Sequence, residues 1–279
     1  MVDLHRAEDG LLARVRIPGG RVSAGQLRAL ARCARMGNGL VDLTSRANVQ
    51  IRGLRDEHRA TLVSELQGAG LLPSIAHDRA RNIVAPPTGE FDAVVEALDA
   101  AICADPALAQ LGGRFLFAVG MEHPAASVTL LPAADGLPLA EAVAAAVGGA
   151  DRVAFSVRLA RGVPQDLVTA LAPLGRLDVA ALDGLAQLAP VWIGIDRTVA
   201  VTGVGASALE ALGLITDPRS GWAGLTACAG LACPRGHVDV RAEAARRARR
   251  RGPGSSPLHL AACERRCGAI PGRAVEVLA

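Results

Sequence analysis

Leu43-Thr-Ser-Arg46-Ala-Asn48-Val-Gln50-Ile-Arg52-Gly-Leu54 sets four polar side chains, Arg46, Asn48, Gln50 and Arg52, at every second position. On an extended segment they project from one face, with Ala47, Val49 and Ile51 on the other. Four polar groups on one side of a strand suit a wet, anion-binding pocket. A solvent-facing strand edge is the plainer alternative.

Working outward, Leu11 to Ile17 alternates as a strand and Pro18-Gly19-Gly20 punctuates it. Ser23 offers an N-cap for a helix to about Met36, with Leu27, Leu30, Ala31 and Ala34 on one face. Leu40 to Thr44 and Val49 to Ile51 read as strands, and Glu57 to Gln67 as a helix. This β-α-β-β-α order predicts a ferredoxin-like α+β unit. Further on, the pattern predicts helices at Phe91–Ala104, Leu137–Val147 and Gln165–Leu171. It predicts strands at Arg114–Val119, Ser127–Leu131, Val153–Leu159 and Val199–Thr202. Two weak echoes, Val15–Ile17 in Val157–Leu159 and Arg46–Gly53 in Arg197–Gly203, suggest a duplicated unit with a boundary near 135–150.

Composition excludes several chemistries. The chain has 279 residues, 51% hydrophobic and 20% charged, which supports a packed core and argues against wholesale disorder. All 30 basic residues are Arg. Without a Lys amine there is no Schiff-base enzyme and no Walker-type P-loop. Aromatics at 2% and a net charge of +3 speak against a nucleic-acid binder that stacks bases on rings. No stretch reads as a membrane span, and the acidic Met1–Gly10 lacks a signal-peptide core, so a reducing cytoplasmic setting is expected.

Four cysteines gather in the last quarter. Cys228 and Cys233 form C-x4-C; after 29 intervening residues Cys263 and Cys267 form C-x3-C. Four thiolates from two short loops can hold a [4Fe–4S] cluster. Zinc takes the same soft ligands, and four buried small hydrophobes would need no metal. Gly230 and Gly268 let backbone approach inorganic sulfur, which favours a cluster. Cys33 and Cys103 sit in helical patterns and read as core residues. The Arg run at 241–251 lies on a predicted helix, where Arg246, Arg249 and Arg250 share a side; carboxylate contact is one reading and a solvated face the plain one. His259, four residues before Cys263, reads as a structural histidine or a neighbour of the cluster.

Arg16-Ile-Pro-Gly-Gly20, the Leu43–Leu54 segment, Arg79-Ala-Arg-Asn-Ile-Val-Ala85 and the cysteine pairs together resemble the nitrite/sulfite reductase family. The resemblance covers roughly residues 10–270. Arg114-Phe-Leu-Phe-Ala118, Leu214-Ile-Thr-Asp-Pro218 and Leu258-His-Leu-Ala-Ala-Cys263 make the chain most similar to the precorrin-3B synthase branch. The resemblance implies an α+β fold: a duplicated ferredoxin-like half domain plus an α+β unit that binds a [4Fe–4S] cluster. It divides the chain into a first half domain (1–70), a first tetrapyrrole-binding unit (71–145), a second half domain (146–210) and a cysteine region (211–279).

It further implies that Cys228, Cys233, Cys263 and Cys267 ligate the cluster. Arg46, Asn48, Gln50, Arg52, Arg81, Asn82, Arg114 and Arg197 would face a tetrapyrrole. The Arg run at 241–251 could reach tetrapyrrole carboxylates or an acidic electron donor. The reaction expected is oxygen-dependent hydroxylation of precorrin-3A with lactone formation, fed by an external electron donor. The alternatives are a sirohaem nitrite or sulfite reductase, or a degenerate relative that binds a tetrapyrrole or a partner without catalysis. Three departures bear on the choice. The reductases place two Lys one residue apart where this chain has Arg114 and Leu116. The first cysteine pair is one residue shorter than the family's. Relatives continue through a strand-rich segment beyond the last cysteine; the expectations left open are a shortened active variant, one half of a split enzyme whose partner chain supplies that segment, a frameshifted product, or a degenerate relative.

Overall fold

The structure is a computed structural model that describes residues 4–148, 153–157, 164–269 and 273–278. The chain opens on an antiparallel pair, β1 (Leu4–Ala7) and β2 (Gly10–Val15). In β2, Ala13 and Val15 are buried and Arg14 is exposed, as the alternation requires. Pro18-Gly19-Gly20 then turns the chain into β3 (Arg21–Val22) and α1 (Ala24–Met36). Ser23 and Gln26 close a reciprocal capping box at the start of α1, which stabilises a helix by about 1 kcal/mol. β4 (Leu40–Leu43) and β5 (Val49–Leu54) follow, then α2 (Arg59–Gly68) behind a short 3-10 turn at Asp56–His58.

A parallel sheet comes next, in the order β6 (Ile83–Val84), β7 (Phe117–Val119), β8 (Val128–Leu137) and β9 (Val153–Val157). α3 (Asp92–Ala104) and α4 (Leu139–Gly148) cover it, burying Leu98, Ile102, Phe117 and Leu130. β9 pairs with β8, so a division at residue 146 falls inside this sheet. The strand predicted from Arg114 starts at Phe117 instead. Phe115 N–H donates to the Gly112 carbonyl at 2.9 Å, and that turn takes up Arg114.

The segment predicted as a helix at Gln165–Leu171 is a strand, β10 (Val168–Leu171), paired antiparallel with the hairpin strand β13 (Thr198–Val201). Its four residues Val-Thr-Ala-Leu are too few for a helix without caps and fit a sheet edge. β11 (Arg176–Asp178), α5 (Val179–Leu188) and β12 (Val191–Ile193) lie between them; α6 (Ala206–Glu210) follows.

The duplication is real: the echo of Arg46–Gly53 in Arg197–Gly203 holds at its glycine end, where Gly53 and Gly203 share positive φ of 71° and 74°, and is displaced by one residue at its arginine end. Gly20 N–H donates to Ile17 O at 2.8 Å, and Gly175 N–H donates to Ala172 O at 2.8 Å. Both glycines have positive φ, and each turn leads through a short strand to a helix capped by Ser23 or Asp178. In the two hairpins Ala47 and Arg197 hold the same left-handed position, φ 53° and 61°. Arg197 therefore matches Ala47, one residue from the predicted Arg46. The echo at Val157–Leu159 does not hold: Val157 belongs to β9, and residues 158–159 lie outside the described residues.

The two halves exchange strands. β11 joins the first sheet, ordered β1-β2-β5-β4-β11, and β3 joins the second, ordered β10-β13-β12-β3. One continuous core, including Leu30, Ile51, Leu182 and Val199, runs through both. The cysteine region forms a small parallel sheet, β14 (Leu225–Ala227), β15 (Leu258–Ala261) and β16 (Ala274–Val277), backed by α7 (Val240–Ala248). Among the described residues no helix is long and apolar enough to cross a membrane.

Candidate functional site

One face of the first sheet is core and the other is chemistry. Val15, Val41, Val49 and Ile51 are buried on the core side. On the opposite side the registers align a polar row across four strands: Arg14 with Gln50, Gln50 with Asp42, and Asp42 with Arg176. Above this row sits a cleft of about 310 Å³, walled by Arg52, Arg197 and Arg241 and by the cysteine region through Cys228, Cys267 and Gly268. Sequence positions from Leu12 to Gly268 converge there. A larger hollow of about 540 Å³ between α1 and α2 holds no cysteine. Its Arg32 is paired with Glu65, so volume alone does not select the site.

Of the eight predicted substrate contacts, three line the cleft: Gln50, Arg52 and Arg197. Ala47 breaks the extended run with its positive φ, so β5 begins only at Val49 and the four polar residues do not share one face. Asn48 turns inward. Its Oδ1 accepts the Ile17 N–H at 2.8 Å, and its Nδ2 donates to Asn82 Oδ1 at 3.0 Å. Asn82 is fully buried and donates to the Phe115 carbonyl. Arg81 is 3% exposed, forms a two-pronged pair with Asp99 at 2.7 and 2.8 Å, and donates to the Leu71 carbonyl. These three side chains join segments of the fold to one another and have little left to offer a ligand.

Arg46 donates to the Gly113 carbonyl, and Arg114 is exposed. Arg14, Arg16, Arg46 and Arg114 nonetheless form a cationic group. Burial lowers the Arg46 pKa from its ordinary value, and the charges of Arg14 and Arg114 lower it further. Burial is also the largest cause of the lowered Arg16 pKa, whose Nε completes no hydrogen bond among the described residues. Asp78 offsets part of this repulsion at Arg16, and an anion placed there would relieve more of it. Leu116 is fully buried beside Val84 and Ala118, so position 116 adds no cation to this group.

Two cleft residues escaped the sequence reading, Arg14 and Asp42; Arg241 opens the run for which carboxylate contact is one expectation. Arg14 and Asp42 left a signal, each being a lone charge at the outward position of an apolar strand. Asp42 takes ion pairs from Arg176 at 3.0 Å and from Arg241 at 3.4 Å. Burial raises its pKa, opposed first by Arg176. In the Arg246–Arg251 run, Arg247 pairs with Glu243 and Glu276, and Arg246 pairs with Glu243. Arg249 and Arg250 are exposed.

Cys228 follows β14 directly, and Cys263 lies two residues past the adjacent parallel strand β15, so both emerge at one end of that sheet. Cys228 Sγ accepts the N–H groups of Gly230 and Ala262, both at 3.3 Å. Such an amide cradle suits a thiolate bound to metal. The donor chemistry therefore fits an iron–sulfur cluster, but the placement does not. Cys233 and Cys263 do not line the cleft, and among the described residues no three His, Cys, Asp or Glu side chains gather closely enough to hold a metal ion. The four thiols as placed do not make a ligand set. His259 is fully buried: its Nδ1 meets Thr226 Oγ1 at 2.9 Å, and its Nε2 completes no hydrogen bond among the described residues. Burial first, then the charge of Arg197, lowers its pKa to about 4. Cys33 is buried in α1 and burial pushes its pKa up to about 12, while Cys103 is half-buried in α3; neither meets the cleft.

Comparison with known proteins agrees with this architecture. Residues 4–69 match the nitrite/sulfite reductase ferredoxin-like half domain. Over 85 residues, 29% of the chain, it is 38% identical to a ferredoxin–nitrite reductase of Leptolyngbya laminosa. That match takes in 17% of the relative's own length. The fold as a whole is similar to the structure of the Mycobacterium tuberculosis NirA protein, with a TM-score of 0.68 at 16% identity, covering 93% of this chain and 69% of that one. The chain thus carries the ferredoxin-like half domain of these reductases within an α+β fold of NirA shape.

Proposed function

We propose that this protein is an oxidoreductase of nitrite/sulfite reductase type that holds a polycarboxylate tetrapyrrole in the cleft over β2, β4 and β5. The observation that carries the reading is the convergence of Arg14, Gln50 and Arg197 with Cys228 and Cys267 around one cleft. Guanidinium forks suit carboxylates, and each charge-assisted contact stabilises a complex by about 1.5–3 kcal/mol. A macrocycle with many carboxylates matches the spread of arginines better than a small anion does.

The finer reading is precorrin-3B synthase-like: hydroxylation of precorrin-3A with oxygen and lactone formation, with electrons from an external donor. Apolar Leu116 beside exposed Arg114 favours it over reduction of a small anion. The local identity to a ferredoxin–nitrite reductase favours the second reading, a sirohaem-dependent nitrite or sulfite reductase. In either case Cys228, Cys233, Cys263 and Cys267 are the proposed ligands of a [4Fe–4S] cluster, which supplies single electrons when bound. Binding it requires the four thiols to draw together from their present positions.

Anaerobic reconstitution with iron and sulfide, followed by metal analysis and optical and EPR spectra, tests the proposal. About four irons and four sulfides per chain, lost in Cys263→Ala, support the cluster. A Soret-type band of bound sirohaem selects the reductase. Iron–sulfur signals without that band, and turnover of precorrin-3A with oxygen and a donor, select the synthase. Zinc without iron–sulfur signals overturns both.

A further inference from the structure

The Cys228–Cys233 loop is gripped at both ends by arginines seated on carboxylates of the first half domain. Arg241 Nε donates to the Cys228 carbonyl at 3.1 Å, and its NH1 and NH2 reach the two carboxylate oxygens of Asp42 at 3.4 Å. Arg52 NH2 donates to the Ala232 carbonyl at 2.7 Å, while Nε and NH2 hold both oxygens of Asp9 at 2.9 Å. The two guanidinium groups are nearly buried, with side-chain exposures of 14% and 8%. Asp42 is fixed in turn by Arg176 from the second half domain. The bracketed carbonyls flank the short turn that aims Gly230 N–H at Cys228 Sγ.

We propose that Arg52 and Arg241 are positioning residues: they clamp the Cys228–Cys233 loop to the ferredoxin-like sheet and so fix where the Cys228 thiol stands over the cleft. For Arg52 this replaces a role as a ligand contact, because its fork is filled by Asp9 and Ala232. The inference rests on the proposed function only in treating that loop as part of the site. A lysine cannot substitute, since one ammonium on a flexible stem does not reproduce the fixed fork that bridges a carbonyl and a carboxylate.

The test uses the full chain, metal-free and reduced, and follows alkylation of each cysteine by iodoacetamide with peptide mass spectrometry. Cys33, buried on α1, reports global opening. Arg241→Gln and Arg52→Gln should speed modification of Cys228 by about tenfold, with Cys33 unchanged, as local opening of one loop predicts. Arg241→Lys should behave like Arg241→Gln, and Arg246→Gln on the same helix should match the wild type. Should Arg241→Gln fail to fold, Asp42→Asn removes the seat alone and should still accelerate Cys228 severalfold. Unchanged Cys228 rates in the folded variants overturn the clamp, as does a Cys33 rate that rises in step. A wild-type chain that takes up no iron while these rate differences persist sinks the cluster reading and leaves the clamp standing.

Discussion

Asn48 Nδ2 and Asn82 Oδ1 meet at 3.0 Å in the protein interior, and this contact ties the first half domain to the parallel sheet. Asn82 Oδ1 also accepts from Arg16, and its Nδ2 donates to the Phe115 carbonyl. Asn48, whose spacing suggested a ligand contact, and Asn82, for which the family resemblance implied one, thus satisfy one another.

Asn82→Ala should therefore cost stability. It strands the Asn48 amide and the Phe115 carbonyl, at roughly 2–4 kcal/mol. Urea unfolding measures this. A variant as stable as the wild type but impaired in tetrapyrrole binding would restore Asn82 to the site.

Arg81 makes the same point for charge. Arg81→Ala leaves Asp99 without its partner and should destabilise by about 3 kcal/mol, while Arg81→Met with Asp99→Leu should recover most of the loss. Comparing the three midpoints in denaturant decides it; a single variant that unfolds like the wild type would contradict the assignment.

The strand exchange depends on Gly20. Its φ is +77°, and a Cβ there would run into the Ile193 carbonyl. Gly20→Ala should cost at least about 2 kcal/mol. Gly25→Ala, in the first turn of α1, meets only Ser23 Oγ at 3.9 Å and should be neutral or stabilising by up to about 1 kcal/mol. Equal thermal midpoints for the two variants would contradict the role given to Gly20.

His259 sets a pH dependence. Unfolded, it binds a proton near its ordinary 6.5; folded, only near about 4. Between these values the unfolded chain holds more protons, so stability present above pH 6.5 is lost as the pH falls toward 4. Stability measured across that range should fall less steeply in His259→Gln than in the wild type. Parallel curves would show that the histidine does not titrate as described.

The ferredoxin-like order was legible because capping and periodicity are local: Ser23 caps the predicted helix, and the strands around Leu43 and Val49 stand where alternation puts them. The α+β class and the duplication followed. What the sequence hid were consequences of distant contacts. The exchange of β3 and β11 is invisible in a linear pattern, and the helix expected at Gln165–Leu171 is a strand because β13 pairs with it. Within the site, Gln50 and Arg197 were legible as polar residues in a repeated hairpin. The fates of Asn48, Arg81 and Asn82 were not, because their partners lie many residues away.

The most direct test of the account is binding of uroporphyrin, a polycarboxylate tetrapyrrole, to the metal-free chain, followed by fluorescence titration. Saturable binding should weaken by about tenfold in Arg197→Gln, the loss of one charge-assisted contact, and should be unaffected by Arg32→Gln on α1. Absence of saturable binding, or equal affinity in the wild type and Arg197→Gln, would contradict an arginine-walled tetrapyrrole cleft.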